Sequence, residues 1–195
     1  MLGVAVKGAK ESGTDCDMIV GSGWPVGGEF LSREDQKQMA ALGTRNLAGG
    51  KTYNISKQEL LNEVNPEVHS KYKDKLKDLV MIRLVPAHLT NLEECIDLTE
   101  QVGHDTITVT VPAGDYVLYY LVKLTGYMAV INGAPGAGGP VLNHYSKSAV
   151  ENYLNRMSDK LVKRIGHLGN YFRAFFTSSL ARKGAKCCTD QFERF

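Results

Sequence analysis

Gly21-Ser22-Gly23-Trp24-Pro25-Val26-Gly27-Gly28 sets the only tryptophan of a 195-residue chain among four glycines. An indole offers a flat apolar face and one N–H donor. A sugar ring offers a C–H face that stacks on such a surface and a hydroxyl rim that bonds polar groups. The loop directly follows an alternating run, Cys16-Asp17-Met18-Ile19-Val20, and α/β proteins bind ligands at the carboxyl ends of their strands. Glycines at such a place let the backbone turn sharply and come close to a ligand. Two readings of Trp24 stand level: a sugar platform, or a plug over the end of a sheet with glycines for the turn alone. The loop is not a phosphate loop, because it has neither G-x-x-x-x-G-K nor G-x-G-x-x-G.

Polar groups near this loop in sequence extend the same chemistry. Asp17 either faces the strand end and bonds a sugar hydroxyl, or is a strand carboxylate satisfied by neighbouring backbone or an arginine. Glu29 reads as an exposed loop charge. Asn143-His144 lies at a strand–loop junction, where His144 either contacts a ligand or caps the loop. His69, His88, His104 and His167 sit in polar contexts and read as surface or packing residues. No Ser/His/Asp arrangement emerges, since Ser178-Ser179 lacks the G-x-S-x-G context. Cys187 has only Lys183 and Lys186 nearby to lower its pKa, a thin basis for a reactive thiol. The four cysteines, Cys16, Cys95, Cys187 and Cys188, show no C-x-x-C spacing, so no metal site is read and the reduced or unpaired state is expected.

Composition bounds the partners. With 43% hydrophobic and 23% charged residues, the chain suits a globular protein with a core of its own. A formal net charge of +2 argues against nucleic acid, which needs a concentrated basic surface. The basic residues Lys160, Lys163, Arg164, Arg182, Lys183 and Lys186 are interrupted and read as a solvated face. No run approaches the roughly 18–20 apolar residues of a membrane span, so no membrane partner is expected. The N-terminus MLGVAVKGAK is broken by Lys7 and reads as the inside of a helix, not as a signal peptide.

The elements that must position these groups follow from periodicity and punctuation. Residues 2–12 read as helix closed by Gly13, residues 14–20 as a strand, and residues 33–42 as a helix begun by the capping-box-like Ser32-Arg33-Glu34-Asp35. The middle is rich in Val, Ile, Thr and Tyr. Strands are expected over 51–55, 79–89, 106–111, 116–124 and 127–131, with a weakly helical stretch at 57–77. Within "TITVTVPAGDYVLYYLVKLTG" two strands are expected to pair with each other across Pro112-Ala113-Gly114-Asp115. A Gly/Pro-rich break at 133–140 precedes a helix from Ser146, where Ser148-x-x-Glu151 forms a second capping box. Val150, Tyr153, Leu154, Met157, Leu161, Ile165 and Leu168 follow at helical spacing. Gly166 or Gly169 ends that helix, and Tyr171–Thr177 reads as a buried strand. Tyr119, Tyr120, Phe172, Phe175 and Phe176 are expected in the core.

Four segments resemble glycoside hydrolase family 106, the α-L-rhamnosidases, in the same order along nearly the whole chain. "SGTDCDMIVGSGWPVGGEFLS" resembles a strand running into the family's G-S-G-W-P-x-G-G loop. "VPAGDYVLYYLVKLTG" is similar to its P-x-G-x-W/Y hairpin. "GAPGAGGPVLNHYSKSAVENYL" is similar to its A-P-G-x-x-G-x-V-L-D-H-x-S-x-x-A-V segment. "RAFFTSSLARKGAKCCTDQFERF" is similar to its F-F-x-D-S-x-E segment followed by G-A-[DN]-W-T. The resemblance implies an α/β fold: partial (β/α)8, TIM-type barrel segments flanking a β-rich antiparallel insertion. The segments would be 1–45, 46–135 and 136–195. A whole barrel takes about 250 residues, and both ends read as cut, so a piece of a longer enzyme is expected. The resemblance also implies calcium, with no ligands placed in this chain, and a secreted or periplasmic parent, although no signal peptide is read here.

The departures from the family pattern weigh against turnover. Asn143 stands where the family has the Asp of V-L-D-H, Ser178 and Ala181 where it has the Asp and Glu of D-S-x-E, and Cys187 where it has an aromatic residue. An inverting glycosidase needs two carboxyl groups roughly 6.5–9.5 Å apart. Alanine cannot donate a proton, and neither serine nor asparagine replaces an ionised base. The expectation is therefore an α-L-rhamnosidase-like segment without an intact catalytic residue. The alternative is a degenerate carbohydrate-binding protein that holds a rhamnose-containing glycan through Asp17, Trp24, Asn143 and His144.

Overall fold

The structure, a computed structural model, describes residues 2–21, 23–65, 75–135 and 137–177. In chain order the elements are helix α1 (Leu2–Glu11), strands β1 (Asp17–Ile19), β2 (Gln38–Ala48) and β3 (Lys51–Ser56), and helix α2 (Lys57–Glu63). Strands β4 (Leu76–Pro86), β5 (Ile96–Asp97), β6 (Thr106–Val111) and β7 (Asp115–Thr125) follow, then helix α3 (Lys147–Ile165) and strand β8 (Ala174–Phe176). The described residues fall into two compact units. A flanking unit draws on residues 2–37 and 128–177, and an inserted unit on residues 38–65 and 75–127.

In the flanking unit α1 ends in a Schellman turn. Gly13 takes φ +69°, Thr14 N donates to Ala9 O at 2.8 Å and Gly13 N to Lys10 O at 3.3 Å. Strands β1 and β8 pair in parallel, with Asp17, Met18 and Ile19 opposite Ala174, Phe175 and Phe176. Helix α3 lies between them in the chain. Its N-cap is Ser146, whose Oγ accepts from Ala149 N at 3.3 Å, so the cap falls two residues before the one expected at Ser148. Ala149 and Tyr153 turn inward onto Val20, Val26, Leu31 and Leu142, and Val150 and Met157 pack against that cluster. Full burial of each such apolar side chain is worth about 1.5–3 kcal/mol, which outweighs the modest propensity of a helix carrying Tyr, Asn and Ser.

The inserted unit holds a four-stranded sheet ordered β2-β7-β4-β5 and a two-stranded sheet of β3 and β6, antiparallel throughout. Strand β6 alternates strictly, with Ile107, Val109 and Val111 buried. In β7, Leu118, Tyr120, Val122 and Leu124 are buried at the same period of two, and Ile82 and Leu84 of β4 are fully buried. The chain passes between the sheets at one corner. Gly49-Gly50 joins β2 to β3 and residues 112–114 join β6 to β7, and Gly50 N donates to both Val111 O and Pro112 O at 3.0 Å. A Cβ on Gly49 would lie 2.1 Å from Gly114 O, so only glycine lets the two connections touch.

Several sequence expectations change here. Among the described residues the barrel segments are not found: the sheets are antiparallel but for β1–β8, the α-helices are three, and no barrel closes. Parallel strands need helical crossovers, whereas tight turns join β2 to β3 and β6 to β7. Strands β6 and β7 do not pair with each other; β6 pairs β3, and β7 pairs β2 and β4. The helix expected over 33–42 is one turn, in which Asp35 N donates to Ser32 Oγ at 3.3 Å, and then strand β2. Eleven register pairs with β7 hold residues 38–48 extended, against a propensity preference of a few tenths of a kcal/mol per residue. Residues 127–131 contribute only isolated bridges, at Ala129 and Ile131. Strand β8 is exposed rather than buried, so Phe175 and Phe176 lie outside the core, while Tyr120 and Phe172 lie within it.

Candidate functional site

The Trp24 loop follows the carboxyl end of β1, and a second glycine-rich segment holds it. Trp24 N donates to Ile131 O at 3.0 Å and Ile131 N to Trp24 O at 2.7 Å. Gly28 N donates to Pro140 O at 3.0 Å and Leu142 N to Val26 O at 2.9 Å. These bridges lace residues 24–28 to residues 131–142, and the Trp24–Pro25 peptide is cis. The glycines are used by this lacing. A Cβ on Gly27 would sit 2.2 Å from Pro140 O, one on Gly23 2.8 Å from Gly133 Cα, and one on Gly139 2.3 Å from Glu29 N. Chain-to-chain approach therefore accounts for glycines that the sequence offers equally to a ligand. Trp24 as a residue is 41% exposed, and Ile131, its bridge partner, 47%. Phe30, also exposed, stacks on Tyr153 at 5.6 Å and takes the Arg156 guanidinium over its ring at 4.5 Å.

Beneath the loop a short antiparallel run brings residues 35–37 beside 141–143. Lys37 N donates to Val141 O at 2.7 Å and Asn143 N to Asp35 O at 2.8 Å. Asn143 is fully buried, and its Oδ1 accepts from Tyr145 N at 3.2 Å. That places it as a brace of its own loop. His144 presents a buried Nε2 without a hydrogen-bond partner. Burial holds its imidazole below the ordinary pKa, and the charge of Lys37 lowers it further. Lys37 is itself buried, and desolvation lowers its ammonium pKa. The sequence gives no sign of this cation, because Gln36-Lys37 reads as polar loop or helix surface. It is buried where residues 35–37 pair with residues 141–143.

Asp17 takes the second of its two readings. Arg173 Nε donates to Asp17 Oδ1 at 3.1 Å and Nη2 to Oδ2 at 2.5 Å, while Nη1 reaches Asp15 Oδ2 at 3.2 Å. The hydrogen bond to Arg173 is the main reason that the Asp17 carboxyl lies below its ordinary pKa. This fork ties β1 to β8. Glu29 is exposed, as its loop position implies. Ser178, Ala181 and Cys187 lie outside the described residues. Among the described residues no three His, Cys, Asp or Glu side chains gather to hold a metal, so the donor set for the implied calcium is not assembled there. Among them, too, no helix is long and apolar enough to cross a membrane.

No family model, curated protein or solved structure matches this chain.

Proposed function

We propose that the chain binds carbohydrate at the Trp24 loop, with a rhamnosyl residue of a glycan as ligand, and does not hydrolyse it. The observation that carries this reading is the half-exposed Trp24 on a backbone pinned to residue 131. A rigid, exposed aromatic face loses little entropy when a sugar stacks on it. His144 Nε2 is buried and Asn143 braces its own loop, so these two contribute position rather than contact. Asp17 is occupied by Arg173 and contributes position, not contact. An α-L-rhamnosidase-like segment remains the parent reading, and the residues at its acid positions, Ala181 and Ser178, oppose turnover.

The test uses the single tryptophan. Titration with methyl α-L-rhamnopyranoside is expected to change Trp24 fluorescence saturably, and calorimetry is expected to lose the binding heat in Trp24→Ala. The purified chain is expected to leave p-nitrophenyl α-L-rhamnopyranoside intact, with or without calcium. A flat fluorescence titration, or hydrolysis by the unmodified chain, would overturn the reading.

A further inference from the structure

The inserted unit contains a cleft of about 550 Å³ that shares no residue with the Trp24 loop, lined by residues 41–45 of β2, by Glu63 at the end of α2 with Val64 and Asn65 after it, and by Tyr120 of β7. That volume lies within the roughly 300–1,000 Å³ of small-molecule sites. Its origin is a glycine. Gly43 is the register partner of Tyr120, and a Cβ there would meet the tyrosine ring at 2.2 Å. The ring thus lies across the gap left on β2, and its hydroxyl donates to Glu63 Oε2 at 2.6 Å. Glu63 Oε1 in turn accepts from Arg45 Nη2, which also donates to Glu59 Oε1 at 2.7 Å. Behind the wall, Lys77 Nζ donates to Leu61 O at 2.8 Å and Val64 O at 2.6 Å and touches Asn65 Oδ1 at 3.4 Å, which fixes the end of α2.

Two features indicate the ligand. Among the described residues the hydrogen bonds of Arg45 run through Nη2, which leaves the three N–H donors of Nε and Nη1 for acceptors on a bound molecule. The charged residues that line the cleft, Arg45 and Glu63, balance each other, so nothing in it selects an ion. Oriented donors and acceptors without net charge, beside the apolar side chain of Val64, match a molecule with both a C–H face and vicinal hydroxyls. We propose that this cleft is a second carbohydrate site, taking a neutral monosaccharide or the terminal sugar of a glycan, with Arg45 as its hydroxyl-binding group. Glu63 and Tyr120 are positioning residues that hold the guanidinium.

The test is an NMR titration of ¹⁵N-labelled Trp24→Ala protein, in which the indole platform of the flanking unit is gone. L-Rhamnose, D-galactose and D-glucose are the probes, with sodium D-glucuronate as the charged counterpart. At least one neutral sugar is expected to shift the Arg45 Nε resonance and the Gly43, Thr44 and Asn65 amides saturably, and glucuronate more weakly. Ala41→Arg, a lining position on the same face of β2 as Gly43 and Arg45, is expected to weaken this binding by about tenfold while amides elsewhere keep their positions. Arg45→Gln is expected to do the same with β2 amide dispersion retained. Absence of shifts with every neutral sugar, equal or tighter binding of glucuronate, or undiminished binding in Ala41→Arg would each overturn the proposal. Failure of the Trp24 reading would leave these resonances unaffected and show instead in the fluorescence titration.

Discussion

Lys37 and His144 are basic groups brought together inside the flanking unit, and the imidazole yields first. Burial, then the lysine charge, lowers the His144 pKa from 6.5. In the window below pH 6.5 the unfolded chain therefore takes up a proton that the folded chain resists, so the unfolded state binds more protons and stability falls as pH falls. Above that window the imidazole is neutral in both states and contributes no pH dependence. His144→Gln is expected to lose less of its urea midpoint between neutral and mildly acidic pH than the unmodified chain. An identical pH profile in the two proteins would exclude His144 as the source. At this scale the sequence was informative about type and silent about environment. The lone Trp24 stands out by its count and its neighbours, and His144 by its place beside Asn143. Nothing in Gln36-Lys37 announces a buried ammonium, because it is buried where residues 35–37 pair with the distant residues 141–143.

Elements tell a different story, in which pairing overrides local preference. Ser32-Arg33-Glu34-Asp35 does form the expected turn, with the Asp35 N–H on Ser32 Oγ. The chain then abandons the helix, because β2 gains a full ladder with β7. The Pro112–Asp115 turn was legible, but its geometry sends β6 and β7 into separate sheets instead of a hairpin. Helix α3 and the α1 Schellman turn were read correctly in kind, since apolar spacing and a positive-φ glycine act within a few residues of themselves. The corner at Gly49 provides the sharpest test of element-level packing. Gly49→Ala is expected to destabilise the chain by roughly 1–3 kcal/mol, seen as a lower urea midpoint with unchanged m-value. Gly103→Ala, where a Cβ meets nothing within 4 Å, is the control expected to leave that midpoint near its starting value.

For the molecule as a whole, stability is divided between two cores. The inserted unit has the denser apolar interior, with Ile82, Leu84, Ile107, Val109, Leu118, Val122 and Leu124 fully buried. Ile82→Ala is expected to cost about 2–5 kcal/mol, measured as faster amide exchange across β4 and β7. An effect under about 0.5 kcal/mol, the level of an ordinary surface substitution, would mean that these strands do not form the core described. The flanking unit relies on α3 and on a short parallel pair whose Ile19, Phe175 and Phe176 remain exposed. Parallel strands are ordinarily covered on both faces, which is why "YFRAFFT" reads as buried in sequence and is exposed in the structure.

Composition, the glycine punctuation and the 3.6-residue spacing of α3 determined by themselves a mixed α/β chain with a β-rich middle, and the unique tryptophan marked the loop after β1. Each of these signals is local, written within one turn or one strand of the residues it governs. Partners decided the rest: which strand β6 joins, where β2 begins, what the loop glycines admit, and that Asp17 meets Arg173 while Arg45 meets Glu63 and Tyr120. Those outcomes depend on hydrogen-bond ladders and charge pairs between residues far apart in sequence. No periodicity along the chain records them.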